Sequence, residues 1–198
     1  MTGSDAVSTA SAVDAAAAGR LIAASFQELA VSAWLMDEPV ERERIMGEQF
    51  GWFVEHALKY GAVDVVGDDA VAVWFDNTVE APWIDAYDER LAATAGPHLD
   101  RFSLLDETFA AHHPHGGPHW HLALLAVRPG QRGTGLGSEL LGRRLAQLDA
   151  AGVPAYLEAS SAGSRDLYLR HGFALLGEAY HLPEGGPPMY PMWREPLG

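Results

Sequence analysis

The sequence predicts an α/β fold built on a mixed sheet. An uninterrupted apolar segment, Trp120–Val127, is followed by an amphipathic segment, 134–151, and by a short apolar segment, Ala155–Ala159. This order is typical of a strand, a helix and a second strand. Two valine-rich segments that flank residues 67–69 predict an antiparallel hairpin, and a second hairpin is predicted at the C-terminus. Parallel and antiparallel neighbours therefore share one sheet.

Length and composition indicate one domain with a full core, because 198 residues fit the usual domain size of roughly 100–200. The absence of cysteine excludes disulfide bonds and thiolate metal sites. No apolar run approaches the roughly 20 residues that cross a bilayer. The first ten residues lack the basic and apolar regions of a secretory signal. We therefore expect a cytoplasmic protein that does not bind membranes.

Helices are predicted on either side of the first hairpin. A capping-box pattern at Ser11 and Asp14 predicts the start of the first helix. Pro39 predicts the start of the second, which Gly61 ends. After the hairpin strands, two further helical segments are expected at 83–95 and 97–111. These helices precede the long apolar strand.

The second half alternates strands and helices. The long strand Trp120–Val127 has no polar alternation, which predicts burial on both of its faces. A short helix is expected at 164–170, after the second apolar strand. The closing hairpin is predicted to pair strand 173–181 with strand 189–194.

The charges are divided unequally along the chain. Residues 1–127 carry 20 acidic and 6 basic side chains, whereas residues 128–198 carry seven of each. A nucleic-acid backbone would be repelled by the first part, so nucleic acid is excluded as a general partner. A cationic small molecule would be attracted.

A glycine-rich loop joins the long strand to the following helix. Gly133, Gly135 and Gly137 alternate behind Arg132, and glycines allow close approach to a ligand. The first amides of a helix lack internal acceptors, so they suit an anion such as a pyrophosphate. A Walker loop requires a lysine after its last glycine, but Lys59 is the only lysine of the chain. The spacing also differs from the G-x-G-x-x-G dinucleotide pattern.

These segments resemble the GNAT superfamily of acyl-CoA N-acyltransferases, and more narrowly the puromycin N-acetyltransferases. The motifs that carry the superfamily resemblance are Val127-x-Pro129, Arg132-x-x-Gly135-x-Gly137 and Tyr168-Leu-Arg-His-Gly172-Phe173. The narrower similarity includes Leu157-Glu158-Ala-Ser160 and Leu182-Pro183-Glu184-Gly185. The resemblance implies a single GNAT-like domain over 1–198, with a twisted, mostly antiparallel sheet flanked by helices. About 1–118 would form the acceptor side, and 119–198 the acyl-CoA-binding core.

The resemblance also implies a binding site for acetyl-CoA as co-substrate. Leu125, Ala126 and Val127 would bind the pantetheine arm through their backbones, and Ser164 matches a position that contacts the same arm. Tyr168 would lie beside the thioester sulfur. The residues expected to hold the pyrophosphate are Arg132, Gly133, Thr134, Gly135, Leu136, Gly137 and Ser138.

Transfer of an acyl group to an amine requires a base for the amine and benefits from an acid for the thiolate. Tyr168 fits the acid. Glu158, a carboxylate within an apolar strand, is a candidate base, because burial raises the pKa of a carboxyl group. His121 is a second candidate, and strand alternation predicts that it shares one face with His119, Leu125 and Val127. A chain of water molecules is the third candidate for the base.

Trp34 and Trp83, near Asp37 and Asp85, are candidates for a pocket that binds a cationic amine. The histidines at 112, 113, 115, 119 and 121 lack an obvious metal-ligand spacing, and we expect no metal. The expected partners are a small-molecule amine and, as an option, a second copy in a homodimer.

The leading hypothesis is an acetyl-CoA-dependent N-acetyltransferase of a small-molecule amine, such as an amine-bearing antibiotic. One alternative acceptor is a protein or peptide amine, which requires an open groove across the strands. Another alternative is a non-catalytic acyl-CoA sensor, against which Tyr168 argues. The choice between acetyl and longer acyl groups stays open.

Overall fold

A computed structural model describes residues 13–114 and 116–198 of the chain, and it places one sheet between two layers of helices. The helices are α1 (Ala15–Phe26), α2 (Ala30–Leu35), α3 (Pro39–Tyr60), α4 (Tyr87–Ala95), α5 (Leu99–His112), α6 (Leu136–Ala151) and α7 (Ala162–Arg170). The strands are β1 (Gly61–Val66), β2 (Ala70–Asp76), β3 (Trp120–Val127), β4 (Ala155–Ala159), β5 (Ala174–Leu175), β6 (Tyr180–His181) and β7 (Pro188–Arg194).

The sheet has the order β1-β2-β3-β4-β7-β5, with β6 paired to β7. Only β3 and β4 are parallel neighbours among these described strands. The predicted α/β fold with a mixed, mostly antiparallel sheet is therefore confirmed. One core lies between the sheet and helices α1–α5, and the other lies between the sheet and helices α6–α7. We call these two sides of the sheet the α1–α5 face and the α6–α7 face.

The local signals that begin and end the helices act largely as predicted. Asp14 caps α1 by accepting from the backbone amides of Ala16 and Ala17, whereas Ser11 lies outside the described residues. Pro39 occupies the first turn of α3, and the strand that follows begins at Gly61. At Gly61 a Cβ atom would lie 2.1 Å from the Trp74 carbonyl oxygen, so only glycine fits there.

Both faces of strand β3 pack against a core, as predicted, although its inner residues alternate between buried and partly exposed. A β-bulge lies at Ala123: Val73 of β2 pairs with Leu124, and the next residue pairs with Leu122. One extra residue in a strand reverses the faces that the following side chains occupy. The bulge therefore changes which residues of β3 face each core, while both faces of the strand remain packed.

The bulge also changes the surroundings of His121. His121 contacts Phe75 and Tyr156 on the α1–α5 face, whereas Leu125 and Val127 pack on the α6–α7 face. The prediction that His121 shares a face with Leu125 and Val127 is therefore wrong. Its neighbour His119 does share the face of His121, since both rings contact Tyr156.

The predicted strand 173–181 is divided into β5 and β6. The backbone between them includes Gly177 at φ 80°, a left-handed conformation that interrupts a strand. This break allows β6 to turn over the α1–α5 face, where Tyr180 packs against the core.

Candidate functional site

The centre of the candidate site is a fork between β3 and β4. The two strands pair only at Trp120–Ala155 and His121–Tyr156. Beyond His121, β3 continues to Val127 without a partner on β4, although β4 pairs with β7 along the whole of its other edge. Backbone groups along the open edge of β3 are thus available to an extended ligand, as the edge of a sheet is to an added strand.

The glycine-rich loop lies at the open end of this fork, directly after Val127. Gly133 and Gly135 have φ of 78° and 96°, which favour glycine. Gly135 caps α6 without a side-chain hydrogen bond, so the first amides of α6 have no internal acceptor. At Gly137, an added Cβ would already contact Val127 at 3.7 Å. This end of the fork therefore suits an anionic group.

The guanidinium of Arg132 is held by the segment at the end of α1. Its Nη1 donates to Glu28 Oε2 at 2.6 Å, and its Nη2 donates to the Ser25 carbonyl at the end of α1. The Ser25 hydroxyl in turn donates to the Val127 carbonyl at 2.8 Å. The glycine-rich loop and the end of α1 are consequently fastened together by one ion pair and two hydrogen bonds.

Tyr168 lies on α7, on the α6–α7 face of the sheet, where its ring packs 5.9 Å from that of Phe173. Burial raises the pKa of Tyr168. Its hydroxyl therefore stays protonated at neutral pH and can donate a proton. The neighbouring Ser164 forms a capping box with Ser161, since its hydroxyl accepts from the Ser161 amide at 3.2 Å and donates to the Ser161 carbonyl at 3.0 Å.

Glu158 lies on β4 and points to the opposite, α1–α5 face. Burial raises its pKa to about 7, although a hydrogen bond from the Tyr180 hydroxyl favours the carboxylate. The Tyr180 ring stacks on His112 with centroids 3.6 Å apart. The Tyr156 hydroxyl is also buried beside Glu158, and its pKa is raised by burial and by the Glu158 charge. Glu158 can thus both hold and release a proton near neutrality.

His121 belongs to a group of imidazoles at the closed end of the fork. Its ring lies 5.1 Å from that of His113 and 5.4 Å from that of Tyr156. Burial, with smaller contributions from His113 and His119, lowers the pKa of His121 to about 3. Because such an imidazole stays neutral and is weakly basic, Glu158 is the stronger candidate base.

His119 is buried, and its Nε2 lies 3.2 Å from Asn77 Nδ2 and 3.3 Å from His113 Nε2. The histidine-rich segment includes His115, which lies outside the described residues. Over 13–114 and 116–198, no group of three or more His, Cys, Asp or Glu side chains is arranged to hold a metal ion.

The candidate acceptor residues occupy two separate depressions. Trp34 and Asp37 line one of about 640 Å³, in which the Trp34 indole donates to the Pro183 carbonyl at 3.1 Å. Trp83 lines another of about 260 Å³, next to Phe75. Asp85 does not line either depression.

Sequence reasoning missed Tyr156, Tyr180 and His112 as members of this site. Alternation from Glu158 points to Tyr156, which lies two residues before it on the same strand face. Nothing local identifies Tyr180, because β6 reaches Glu158 only through the tertiary fold.

The candidate site comprises a glycine-rich loop at a helix N-terminus, an open strand edge, a protonated tyrosine on one face of the sheet and a titratable carboxylate on the other. General acid–base catalysis requires such a proton donor and such a proton acceptor. In the part of the chain that the structure describes, no helix is long and apolar enough to cross a membrane.

Comparison with known proteins assigns the family. Residues 30–173 match the model of the acetyltransferase (GNAT) family. A Corynebacterium glutamicum structure, "histone acetyltransferase HPA2 and related acetyltransferase", is similar at 25% identity and a TM-score of 0.69, over 97% of this chain and 96% of that one. The polyamine N-acetyltransferase of Drosophila melanogaster shares the fold at 18% identity and a TM-score of 0.58, over 92% and 97%. The arylalkylamine N-acetyltransferase 2 of Aedes aegypti also shares the fold, at 13% identity and a TM-score of 0.55, over 90% of this chain and 92% of that one. The chain therefore belongs to the GNAT family of N-acetyltransferases.

Proposed function

We propose that this N-acetyltransferase acts on the amine of a small molecule. The observation that carries the proposal is the closure of the α1–α5 face beside Glu158. The segment that joins β6 to β7 contacts α2, because the Trp34 indole donates a hydrogen bond to the Pro183 carbonyl. It also contacts α5, because Arg101 pairs with Glu184 at 2.9 Å and lies 4.6 Å over the Trp34 ring. An extended peptide requires a groove across the strands, and these contacts bridge the face where such a groove would run.

Acetyl-CoA supplies the acetyl group, as in the family. In our proposal the pantetheine arm lies along Leu125, Ala126 and Val127. The pyrophosphate is held by the backbone amides of 132–138. Arg132 reaches the pyrophosphate only by leaving Glu28, because its guanidinium is otherwise paired. The Ser164 hydroxyl already serves the α7 cap, so its contact with the arm requires that it leave the Ser161 carbonyl.

The proposed chemistry divides the two proton transfers between the two faces of the sheet. Glu158 accepts the proton that the amine loses as the carbon–nitrogen bond forms. Tyr168 donates its proton to the sulfur as the carbon–sulfur bond breaks. The pKa of Glu158, about 7, suits a base at neutral pH, and the Tyr168 hydroxyl, whose pKa burial raises, carries its proton at that pH. The tyrosine also argues against a non-catalytic acyl-CoA sensor.

The acidic first part of the chain supports a positively charged acceptor. Charges separated by more than about 8 Å are screened at physiological salt, so only acids near the bound amine contribute to its affinity. An amine-bearing antibiotic is one member of this acceptor class, and the narrower similarity to puromycin N-acetyltransferases favours it.

The test is thiol release from acetyl-CoA in the presence of single small amines and of peptides with free N-termini, with mass spectrometry of the products. We expect saturable acetylation of at least one small amine and slower reaction with every peptide. The Tyr168→Phe variant, which keeps the ring, is the control for enzymatic turnover. Faster acetylation of a peptide, or thiol release that no amine accelerates, would overturn the proposal.

A further inference from the structure

His112 takes no part in the chemistry above, but its ring lies against the tyrosine that donates a hydrogen bond to Glu158. His112 is the last residue of α5. Its ring centroid lies 3.6 Å from that of Tyr180, and the planes of the two rings differ by 11°. The imidazole therefore covers one face of the Tyr180 ring, whose hydroxyl reaches Glu158.

The backbone around Tyr180 does not by itself fix the direction of the ring. Strand β6 consists of Tyr180 and His181, and both residues pair with β7. Glu158 lies on β4, so the Tyr180 side chain extends to a strand with which β6 shares no pairing in the described sheet. A tyrosine side chain rotates about two torsions that strand pairing leaves open. Contacts with the ring itself must therefore direct the hydroxyl.

His112 is suited to this task because its own ring is held in place. Its Nδ1 lies 2.8 Å from the carbonyl oxygen of Thr108, one turn earlier on α5. A carbonyl oxygen only accepts, so Nδ1 carries a proton and donates it to this hydrogen bond. The Thr108 hydroxyl donates in turn to the Leu104 carbonyl at 2.6 Å. The imidazole is thereby tied to the helix, and it can hold the ring that is stacked on it.

The carboxyl group of Glu158 is sensitive to the contacts around it. Burial raises its pKa to about 7, whereas the Tyr180 hydroxyl, the Tyr156 hydroxyl and a positive charge on His112 act to lower it. These titratable groups face Glu158 from β6, β4 and α5. Near the midpoint of its titration, a carboxyl group changes its protonated fraction strongly when one such contact is lost.

We infer that His112 is a positioning residue for the acyl transfer: its stack on Tyr180 holds the Tyr180 hydroxyl on Glu158 and so keeps this carboxylate ready to accept a proton. The inference rests on the proposed function, in which Glu158 is the base. His112 acts through Tyr180, so the part of His112 that is required is its flat ring rather than its charge.

The first measurement is the pKa of Glu158 itself, followed by carbon-13 NMR of its side-chain carboxyl group without substrates. The resonance is identified as the one that Glu158→Gln removes. His112→Ala should raise this pKa by about 0.5–1 unit, the size expected for loss of one aromatic pair. His112→Phe keeps a ring without the imidazole charge, and its pKa for Glu158 should lie close to that of the unaltered protein.

Two further changes locate the effect. In Tyr180→Phe, which lacks the hydroxyl, the added change His112→Ala should raise the pKa of Glu158 little further, because the stack no longer directs a donor. His181→Ala is the matched control, since this exposed histidine follows Tyr180 on β6 and strand alternation directs it to the other face. It should leave the pKa unchanged. His112→Gln, also without a ring, repeats the test if His112→Ala loosens α5.

Kinetics separate this inference from the proposed function. At pH 7, His112→Ala should lower kcat/KM about 2- to 6-fold, and the loss should fade as the pH rises and Glu158 is deprotonated. An unchanged pKa of Glu158 in His112→Ala, or an equal rise in His112→Phe, overturns the inference. A pKa that moves as expected, without a pH-dependent change in kcat/KM, upholds the action of His112 on Glu158 while the proposed role of Glu158 as the base fails.

Discussion

Removal of the Tyr180 hydroxyl should shift the pH at which the enzyme becomes active. The hydroxyl donates a hydrogen bond to Glu158, and this bond stabilises the carboxylate against the burial that raises the pKa of Glu158 to about 7. A hydrogen bond to a charged group contributes about 1.5–3 kcal/mol. At 1.36 kcal/mol per pKa unit, Tyr180→Phe should raise the pKa of Glu158 by about 1–2 units.

The base is active only when it is deprotonated, so the acidic limb of the kcat/KM profile moves to higher pH in this variant. At pH 7, the deprotonated fraction falls from about one half to between one tenth and one hundredth, which lowers kcat/KM about 5- to 50-fold. Near pH 10 the variant should approach the unaltered protein. Because the ring is kept, the stacking of residue 180 on His112 is preserved.

The assay is thiol release between pH 5 and 10, and the quantity of interest is the ratio of variant to unaltered kcat/KM at each pH. The titration of the amine itself cancels in this ratio. Tyr190→Phe is the matched control, since Tyr190 packs on the α6–α7 face. A ratio that does not change with pH would refute Glu158 as the base and Tyr180 as the group that holds its proton.

Three further predictions concern the donor side. Tyr168→Phe should lower kcat about 10- to 10⁴-fold while acetyl-CoA affinity, measured by calorimetry, is nearly kept; full turnover would remove Tyr168 from the mechanism. Gly135→Val places a side chain on a backbone with φ 96°, and this strain should lower the free energy of unfolding by about 1–3 kcal/mol although no atom lies within 4 Å of the new Cβ. The same side chain should weaken acetyl-CoA binding, and unchanged affinity in a folded variant would contradict the loop assignment. Glu28→Gln releases Arg132 from its exposed ion pair and should tighten acetyl-CoA binding about 1.5- to 5-fold; weaker binding would show that Arg132 acts from its present position.

Much of the fold follows from local signals in the sequence. Pro39 and Gly61 limit α3 because one lacks an amide donor and the other tolerates an approach that no Cβ allows. Strands β3 and β4 have the predicted bounds, since short apolar runs between turns have few alternatives. The glycine-rich loop was identified by its place between a strand and a helix. These signals are sufficient for the fold class, whereas the donor-side roles stay predictions.

The remaining features depend on contacts that no local pattern contains. The bulge at Ala123 reverses the faces of β3, and a period of two cannot reveal it. Arg132 is paired with Glu28 across 104 positions of sequence, and Glu158 with Tyr180 across 22. The two tryptophans expected near a cationic amine lie in different depressions for the same reason. Homodimer formation and the narrower similarity to puromycin N-acetyltransferases stay predictions.

Under our proposal, acetyl-CoA fills the gap in the ladder between β3 and β4 and becomes a structural part of the sheet. A ligand that binds only the folded chain stabilises it by RT ln(1 + [L]/Kd), which is about 2.7 kcal/mol at a hundred times Kd. Amides on the open edge of β3 should exchange with deuterium faster than those that pair with β2, and should slow when acetyl-CoA is added. The lifetime of this protein in a cell would then rise and fall with the supply of acetyl-CoA, so that scarcity of the donor removes the enzyme as well as its substrate.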